Sequence, residues 1–433
     1  MRGGLGWARW LRTLFAPATE LLGTRTAHGF DVLVRLAEPR TIEICVDGRG
    51  HIPAKLELHS RASSGLLPRR SFPTGDAELD RVVIVAGNAT IAAALLSWEV
   101  RRLLIEVVGR LGASLSAGVL SLHEPAKGLD AQRLEALVDS LARTAAELRL
   151  EPVDVPIRLL SQSRADPLPA LRDAALRLLL ENCSDRPEAR EAASEALEHP
   201  NAFVRLAREL VDGQEGLLRV ADAARDVELA VDLRAYAARQ VLARYPKHTP
   251  REVAVSVLRV GPLPVLEAAL AEISRVDQTD LLPELYPLVS PSMFSGPPTP
   301  RFYLALVRAL GAYVRYFQRG VELPPPVSLE EASEVIARLL FHPDVEVSVF
   351  AAVTLGRVGS ANELPALAGL VTIAPVFERA ALRRDAAEAA SSRIRERLGA
   401  QLGGLSLADP TADGQLTLYE DEAGGLSDPE SSA

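Results

Sequence analysis

Residues 342–359 read HPDVEVSVFAAVTLGRVG, and this stretch decides the fold of the larger part of the chain. Pro343 at the first helical position, the small pair Ala351 and Ala352, and a closing Leu355–Gly356 are typical of a hairpin of two touching helices. An amphipathic helix cannot bury its apolar stripe alone. The stretch therefore predicts further helices stacked beside it.

The same pattern recurs earlier in the chain. A polar residue follows a proline by five positions at Pro167/Arg172, Pro200/Arg205 and Pro343/Ser348. From about residue 165 the strand signal disappears, and Ala/Leu-rich amphipathic helices follow one another, separated by Pro, Gly and Asp. Proline-rich loops are expected at 290–299 and 324–326.

These residues resemble the bacterial variant of the HEAT-repeat family, whose signature is roughly D/H-P-x-x-x-V-R-x-x-A-A-x-x-L-G. The resemblance covers 165–398 and is closest at 342–371. Arg208 stands where the family has a small residue, and Ser348 replaces the usual Arg. The resemblance implies an all-α, right-handed solenoid of HEAT-like, armadillo-type repeats over 165–398, which binds a protein partner as a scaffold.

An α+β domain is predicted ahead of the helices, over residues 27–152. Alternating or β-branched runs predict strands at 30–36, 41–46, 54–60, 82–85, 113–116 and 119–123. We expect the first three to form a meander. Asn88 is the expected cap of a helix that continues to Val108 and whose apolar face is interrupted by Arg101 and Arg102. Asp130 is the expected cap of the next helix.

The two ends of the chain differ from its middle. Residues 1–26 are predicted as an amphipathic segment, which docks on its own domain or contacts a membrane or a partner; its apolar residues are Trp7, Trp10, Leu11, Leu14 and Phe15. Residues 399–433 are predicted as a disordered acidic tail, because 401–433 hold seven acidic residues and no basic one.

Composition restricts partners and location. The net charge is −9, and no basic stripe with interleaved aromatics occurs among the helices, so we expect no nucleic-acid binding. Cys45 and Cys183 lie in apolar patterns and are expected to be buried thiols in a reducing compartment. No signal peptide or spanning segment is recognisable, which predicts a soluble, cytoplasmic protein. The excess of 45 arginines over three lysines indicates a GC-rich coding sequence and a bacterial source.

The sequence holds no motif for catalysis or for a cofactor. A G-x-S-x-G elbow and a glycine-rich phosphate loop are absent, and no two of the seven histidines are three or four residues apart. His199 and His342, each before a proline, are expected to cap helices. Asp76, Glu78 and Asp80 are interpreted as a solvated acidic turn. We therefore expect no enzyme activity, no cofactor and no metal.

One patch of tyrosines and arginines is a candidate protein-interaction site. Its members are Tyr303, Arg308, Tyr313, Arg315, Tyr316 and Arg319. Core packing, a protein interface and nucleic-acid binding all remain open as interpretations of the patch. The favoured function is a non-enzymatic scaffold or adaptor. The alternative is an enzyme or a regulatory ligand-binding module, with a pocket at the junction of the α+β domain and the first repeats.

Overall fold

The structure, a computed structural model, describes residues 20–38, 41–62, 71–259, 261–273, 278–290, 298–311, 329–373 and 378–401. An antiparallel sheet region comes first and a run of helices follows it, as the sequence predicts. The chain divides into two compact units, Met1–Gly216 and Leu217–Ala433. The first unit holds the sheet together with the helices that directly follow it.

The strands of the first unit form one sheet in the order β1-β2-β3-β8-β7-β4-β6-β5. Their bounds are β1 Glu20–Ala27, β2 Phe30–Glu38, β3 Thr41–Asp47, β4 Glu57–Ser60, β5 Ser71–Phe72, β6 Val83–Ala86, β7 Ser114–Ser116 and β8 Val119–Pro125. The six predicted strands are confirmed, whereas β1 and β5 are not foreseen. β1 includes residues 20–26 of the segment predicted to be amphipathic.

The predicted meander of the first three strands is wrong, because a later strand lies beside β3. β8 pairs with β3 and sets Leu122 opposite Ile44 and Leu120 opposite Val46. β4 pairs with β6 and β7 instead. β8 is the better partner for β3 because it is longer, with 7 residues against 4 in β4, and because its buried apolar residues lie opposite those of β3.

The helices that lie wholly in the first unit have the following bounds: α1 Ala77–Val82, α2 Ala89–Leu95, α3 Trp98–Leu104, α4 Ala131–Glu147, α5 Val155–Ala165, α6 Pro169–Asn182, α7 Pro187–Ala196 and α8 Ala202–Glu209. α4 is capped by Asp130, as predicted, and packs on β1, β2, β3 and β8. Its Leu137 and Leu141 are buried, so α4 covers one face of the sheet. α5 and α6 pack on each other and on α2.

The single helix predicted from Asn88 to Val108 is interrupted. Asn88 caps α2 as expected, but α2 ends at Leu95. The side chain of Ser97 accepts a backbone N–H and starts α3, which continues into a π-helical turn, Ile105–Arg110. With this break, Arg101 on α3 is 1% exposed and lies in the interior.

Helices make up the described part of the second unit. Their bounds are α9 Gly213–Arg225 (which begins in the first unit), α10 Val231–Ala243, α11 Arg251–Arg259, α12 Leu263–Ile273, α13 Leu282–Leu285, α14 Pro300–Leu310, α15 Leu329–Ala337, α16 Val345–Val358, α17 Leu364–Ile373 and α18 Glu378–Gln401. Helices α10, α12, α14, α16 and α18 pack in succession, each on the next. α11 contacts α13, and α15 contacts the turn Tyr286–Val289 that follows α13. The helices thus alternate between two layers.

A close approach joins α16 to α18. A Cβ at Gly356 would lie 2.9 Å from the Cα of Ala390, so only glycine fits there. This confirms the prediction that small residues mark a helix contact. Pro343 is not the first helical residue, however: α16 begins at Val345 with Asp344 as its N-cap, and the proline precedes the cap.

Several predicted features lie outside the described residues. They are the apolar residues of the segment before β1, most of the loop 290–299, the loop 324–326 and nearly all of the tail 399–433.

Candidate functional site

The predicted interaction patch lies partly on α14. Tyr303 is 4% exposed, and its ring packs against that of His342 with 4.5 Å between the ring centroids. Arg308 is exposed, and its guanidinium carbon lies 5.4 Å from the ring centroid of Phe350. The other four members, Tyr313, Arg315, Tyr316 and Arg319, lie outside the described residues. Tyr303 thus belongs to the helix packing, and Arg308 to the surface.

A histidine–proline pair forms the entrance of α16. The N–H of Asp344 donates to Nδ1 of His342 at 3.1 Å. Oδ1 of Asp344 accepts the N–H groups of Glu346 and Val347 at 2.9 and 3.2 Å. Nδ1 of His342 is therefore unprotonated, since it acts as an acceptor. Burial lowers the pKa of His342. We call residues 342–347 the His342 corner.

The entrance of α8 repeats this arrangement. The N–H of Asn201 donates to Nδ1 of His199 at 3.2 Å, and Oδ1 of Asn201 accepts the N–H of Phe203 at 3.0 Å. Nε2 of His199 lies 3.5 Å from Oδ1 of Asp173. Both histidines thus satisfy a backbone donor at a helix entrance, as predicted. We call residues 199–203 the His199 corner.

An arginine five positions after a proline closes two helix entrances. Arg205 donates to the carbonyl oxygen of His199, the residue before its proline. Arg172 donates in the same way to the carbonyl oxygen of Asp166, at 2.8 Å. The recurring spacing of proline and arginine therefore has one physical role: it lets the arginine bind the carbonyl oxygen of the residue before the proline.

At the His342 corner the arginine comes from a different helix. Ser348 holds the position five after the proline, is fully buried, and donates its hydroxyl to the carbonyl oxygen of Leu340. Arg383 of α18 donates instead to the carbonyl oxygens of His342 and Pro343, at 2.9 and 2.5 Å. The missing arginine is thereby replaced from α18, which ties α18 to the start of α16.

Arg101 joins two carboxylates inside the first unit. Its Nε donates to Asp76 at 2.7 Å, and its Nη1 and Nη2 donate to Asp166 at 2.7 and 3.1 Å. Nη1 also donates to the carbonyl oxygen of Leu96 at 2.7 Å. The three charged side chains are at most 7% exposed. We call these three residues the Arg101 cluster.

The cluster contains one more negative charge than positive, and backbone donors offset it. Asp76 caps α1 and accepts the N–H groups of Glu78 and Leu79. Asp166 accepts the N–H of Leu168, directly before α6 begins. Partial positive charge accumulates at helix N-termini. Each carboxylate therefore has a donor besides the guanidinium.

The predicted solvated acidic turn is wrong for two of its three residues. Asp76 is buried in the Arg101 cluster. Asp80 accepts the N–H groups of Thr74 and Gly75 at 2.9 and 3.2 Å, and so closes the turn onto α1. Glu78 is exposed, as predicted.

Sequence reasoning missed the Arg101 cluster. The available signals were an arginine on an apolar helix face, an aspartate directly before a helix start at Asp76, and an aspartate three residues before one at Asp166. Neither signal names a partner, because Arg101 and Asp166 are 65 positions apart.

A cleft of about 160 Å³ lies beside the cluster, between the strand end Phe72–Thr74 and helices α2 and α6. Its polar lining consists of Thr74, Arg101, Gln162 and Arg177, and no Asp, Glu, His or Cys occurs among its described lining residues. Small-molecule pockets usually measure roughly 300–1,000 Å³. The cleft lies where the alternative hypothesis placed a pocket, but it is small and presents no acid–base pair among these residues.

The sheet face opposite α4 carries a second polar group. Arg35 donates to Glu43 at 2.6 Å, and the thiol of Cys45 donates to Glu43 at 3.2 Å. Burial and the nearby Glu43 carboxylate raise the pKa of Cys45 to about 12. Burial also raises the pKa of Cys183. Both cysteines are free and buried, as predicted. Burial and the raised pKa make both thiols less reactive than an exposed cysteine, because the reactive form is the thiolate.

The described residues contain neither a metal-binding group nor a helix that could span a membrane. No group of three or more His, Cys, Asp or Glu side chains there is arranged to hold a metal ion. No helix in this part of the chain combines the length and the apolar character that crossing a membrane requires.

No protein-family model matches the chain, and no curated protein matches its sequence.

Proposed function

We propose that the chain is a non-enzymatic protein-interaction scaffold whose helical part is a HEAT-like solenoid. The observation that carries this proposal is the alternation of helices between two layers, in which α10, α12, α14, α16 and α18 each pack on the next. Stacked helix pairs of this kind leave an extended outer face for partners. The recurring arginine-closed entrances support a repeated unit.

The partner surface that we propose lies on α14 and α16. Arg308 is exposed and lies over the ring of Phe350, which is itself half-exposed. Leu304 lies one turn before Arg308, and Val353 one turn after Phe350; both are half-exposed. Arginine and aromatic side chains surrounded by apolar contacts are enriched among residues that dominate protein-binding energy.

Affinity purification of the full chain from its native host tests this proposal, with Arg308→Glu as the disrupting variant. Arg338→Glu is the matched control, because Arg338 is a 61% exposed arginine directly after α15 in the same unit, paired with Glu334 on that helix. We expect a reproducible protein partner that Arg308→Glu loses and Arg338→Glu retains. With the purified partner, Kd should rise about 30-fold, as at an interface position worth about 2 kcal/mol. Equal recovery with both variants, or no reproducible partner, contradicts the proposal.

A second candidate function is regulation by a small molecule bound in the cleft beside Arg101. The position of the cleft, at the contact of the sheet region with α2 and α6, favours this candidate. A fragment screen by ligand-observed NMR tests it, with Ala174→Leu as the variant that fills the cleft. Fragments that bind the native chain and not the variant support the candidate. Fragments that bind both equally, or none at all, exclude it.

A further inference from the structure

The His342 corner is the point where three helices of the second unit meet. The ring of Tyr303 brings α14 to the histidine ring, 4.5 Å away between centroids. The N–H of Asp344 connects the ring to the start of α16, and Arg383 of α18 binds the carbonyl oxygens of His342 and Pro343. A change of charge on this one ring therefore affects the contacts of α14, α16 and α18 together.

We propose that the His342 corner is a pH-sensitive joint, which opens when the ring of His342 takes up a proton. The inference does not depend on the proposed function. It rests on the acceptor role of Nδ1. A proton on Nδ1 removes the acceptor of the Asp344 N–H and sets two donors against each other at a half-buried position.

Burial has the largest effect on the ring of His342, and it lowers the pKa of that ring. From α14 the ring meets Tyr303, a neutral phenol. From α18 it meets the guanidinium of Arg383, a positive charge held at the carbonyl oxygen of His342 itself. The carboxylate of Asp344 at the start of α16 favours protonation, but Oδ1 is already engaged by two backbone N–H groups. The charges of Asp344 and Arg383 thus act on the ring in opposite directions, and burial decides that the pKa of His342 is lowered.

The direction of the pH effect follows from this lowered pKa. In the open corner the ring takes up a proton at its ordinary pKa, about 6.5, whereas the closed corner resists it. The contribution of the closed corner to stability is therefore complete above about pH 6.5 and is lost as the pH falls from there toward the lowered pKa. For each unit by which the pKa of His342 is lowered, the equilibrium constant for opening rises about tenfold at pH values below the lowered pKa.

The His199 corner provides an internal control. It has the same backbone geometry, but a carboxylate faces its ring, because Nε2 of His199 lies 3.5 Å from Asp173. The ring of His199 thus has a carboxylate partner at Nε2, which the described surroundings of His342 do not provide. Acid should therefore open the His342 corner before the His199 corner.

Hydrogen exchange on the full chain at pH 7.5 and pH 5.5 tests the inference, with protection corrected for the intrinsic effect of pH. We expect protection at residues 344–347 to fall at pH 5.5, by at most about tenfold because the ordinary pKa lies only one unit above this pH, while residues 201–203 change less. In His342→Asn the side-chain oxygen keeps an acceptor without a titrating group, so protection at 344–347 should become independent of pH.

Two outcomes overturn the inference. One is equal loss of protection, or none, at the two corners of the native chain, a comparison that needs no variant. The other is an NMR titration in which the His342 ring takes up its proton at pH 6.5 or above. If His342→Asn does not fold, the comparison of the two corners and the titration still decide the matter.

Discussion

Arg101 and Asp166 form a two-point ion pair, with Nη1–Oδ2 at 2.7 Å and Nη2–Oδ1 at 3.1 Å, in which both side chains are 1% exposed. The pair connects α3, which follows the sheet strand β6 and α2, to the turn between α5 and α6. Removing one partner of such a pair leaves an uncompensated buried charge, which costs far more than the pair itself contributes. The pair therefore makes the sheet region and the first helices dependent on each other.

The first prediction concerns Arg101→Met, which retains much of the side-chain volume and removes the charge. Asp76 and Asp166 would then be buried carboxylates without a cation, and we expect a loss of about 3–5 kcal/mol in the free energy of unfolding of the first unit. Urea unfolding followed by circular dichroism measures it, and hydrogen exchange locates it in α3, α5 and α6.

Arg102→Met is the matched control. Arg102 is the next residue on the same helix, is 55% exposed, and pairs with the exposed Glu78 at 3.1 Å. An exposed pair of this kind is worth about 0–1 kcal/mol. Similar losses of unfolding free energy in Arg101→Met and Arg102→Met would contradict the prediction that the buried ion pair matters more for stability than the exposed one.

The second prediction concerns the contact of α16 with α18. Gly356→Ala places a Cβ 2.9 Å from the Cα of Ala390, so the two helices must separate. Overpacking of this kind costs about 1–3 kcal/mol, which exceeds the helix propensity that alanine adds. We expect a net loss of stability in the second unit, measured by urea unfolding.

Gly369→Ala is the same substitution at a helical position with space. There the new Cβ would meet only the tip of the Phe341 ring, at 3.6 Å. Alanine should stabilise α17 by roughly 0.5–1 kcal/mol through its higher helix propensity. The two variants thus change stability in opposite directions, and an equal effect of both would contradict the close approach.

Local features of this fold are predictable from the sequence. Asn88, Asp130 and the His342 corner each involve a side chain and backbone donors within a few residues, so the motif alone determines the geometry. The buried strands and the Ala-rich helices follow from periodicity for the same reason. Of the predicted patch, Arg308 is exposed and Tyr303 is buried, and whether the patch binds a protein stays a prediction.

Pairings between distant segments are not predictable in this way. β3 pairs with β8 because the two present matched apolar faces, a property visible only when both strands are compared. Arg101 reaches Asp166 because one helix ends at Leu95 and a new one starts after Ser97. Arg383 replaces the arginine absent at Ser348, and nothing near Ser348 in sequence indicates it. In each case the partner is set by tertiary packing.

The third prediction concerns the two thiols. Burial raises the pKa of Cys45 to about 12 and raises that of Cys183, so at pH 8 Cys45 stays a thiol and Cys183 forms less thiolate than an exposed cysteine does. A thiol reagent at pH 8 should therefore modify native protein very slowly and release two thiol equivalents in denaturant. Rapid modification of the folded chain at Cys45 would contradict the burial.

The same shift makes stability depend on alkaline pH. The pKa of Cys45 is raised on folding from an ordinary value of 9.0 to about 12, so the contribution of the buried thiol is complete below pH 9 and is lost as the pH rises toward 12. Cys45→Ala should lose this dependence and retain the rest of the alkaline profile. Unfolding free energies measured between pH 8 and pH 10.5 provide the comparison.

The last prediction concerns Arg383, which holds the carbonyl oxygens of His342 and Pro343 from α18. In Arg383→Ala these oxygens lose a charged donor, and hydrogen bonds to charged groups are worth about 1.5–3 kcal/mol. We expect a loss of this size in the unfolding free energy of the second unit, with faster hydrogen exchange at residues 344–347.

Arg384→Ala is the control on the same helix, since Arg384 is 49% exposed and its charge partner, Asp385, is exposed as well. It should change stability by less than about 0.5 kcal/mol. Arg205→Ala removes the corresponding clamp at the His199 corner, where Arg205 is exposed, so its cost should lie between those of the two α18 variants. If Arg383→Ala costs no more than Arg205→Ala, then α18 does not substitute for the arginine missing at Ser348, and the start of α16 is held by the Asp344 cap alone.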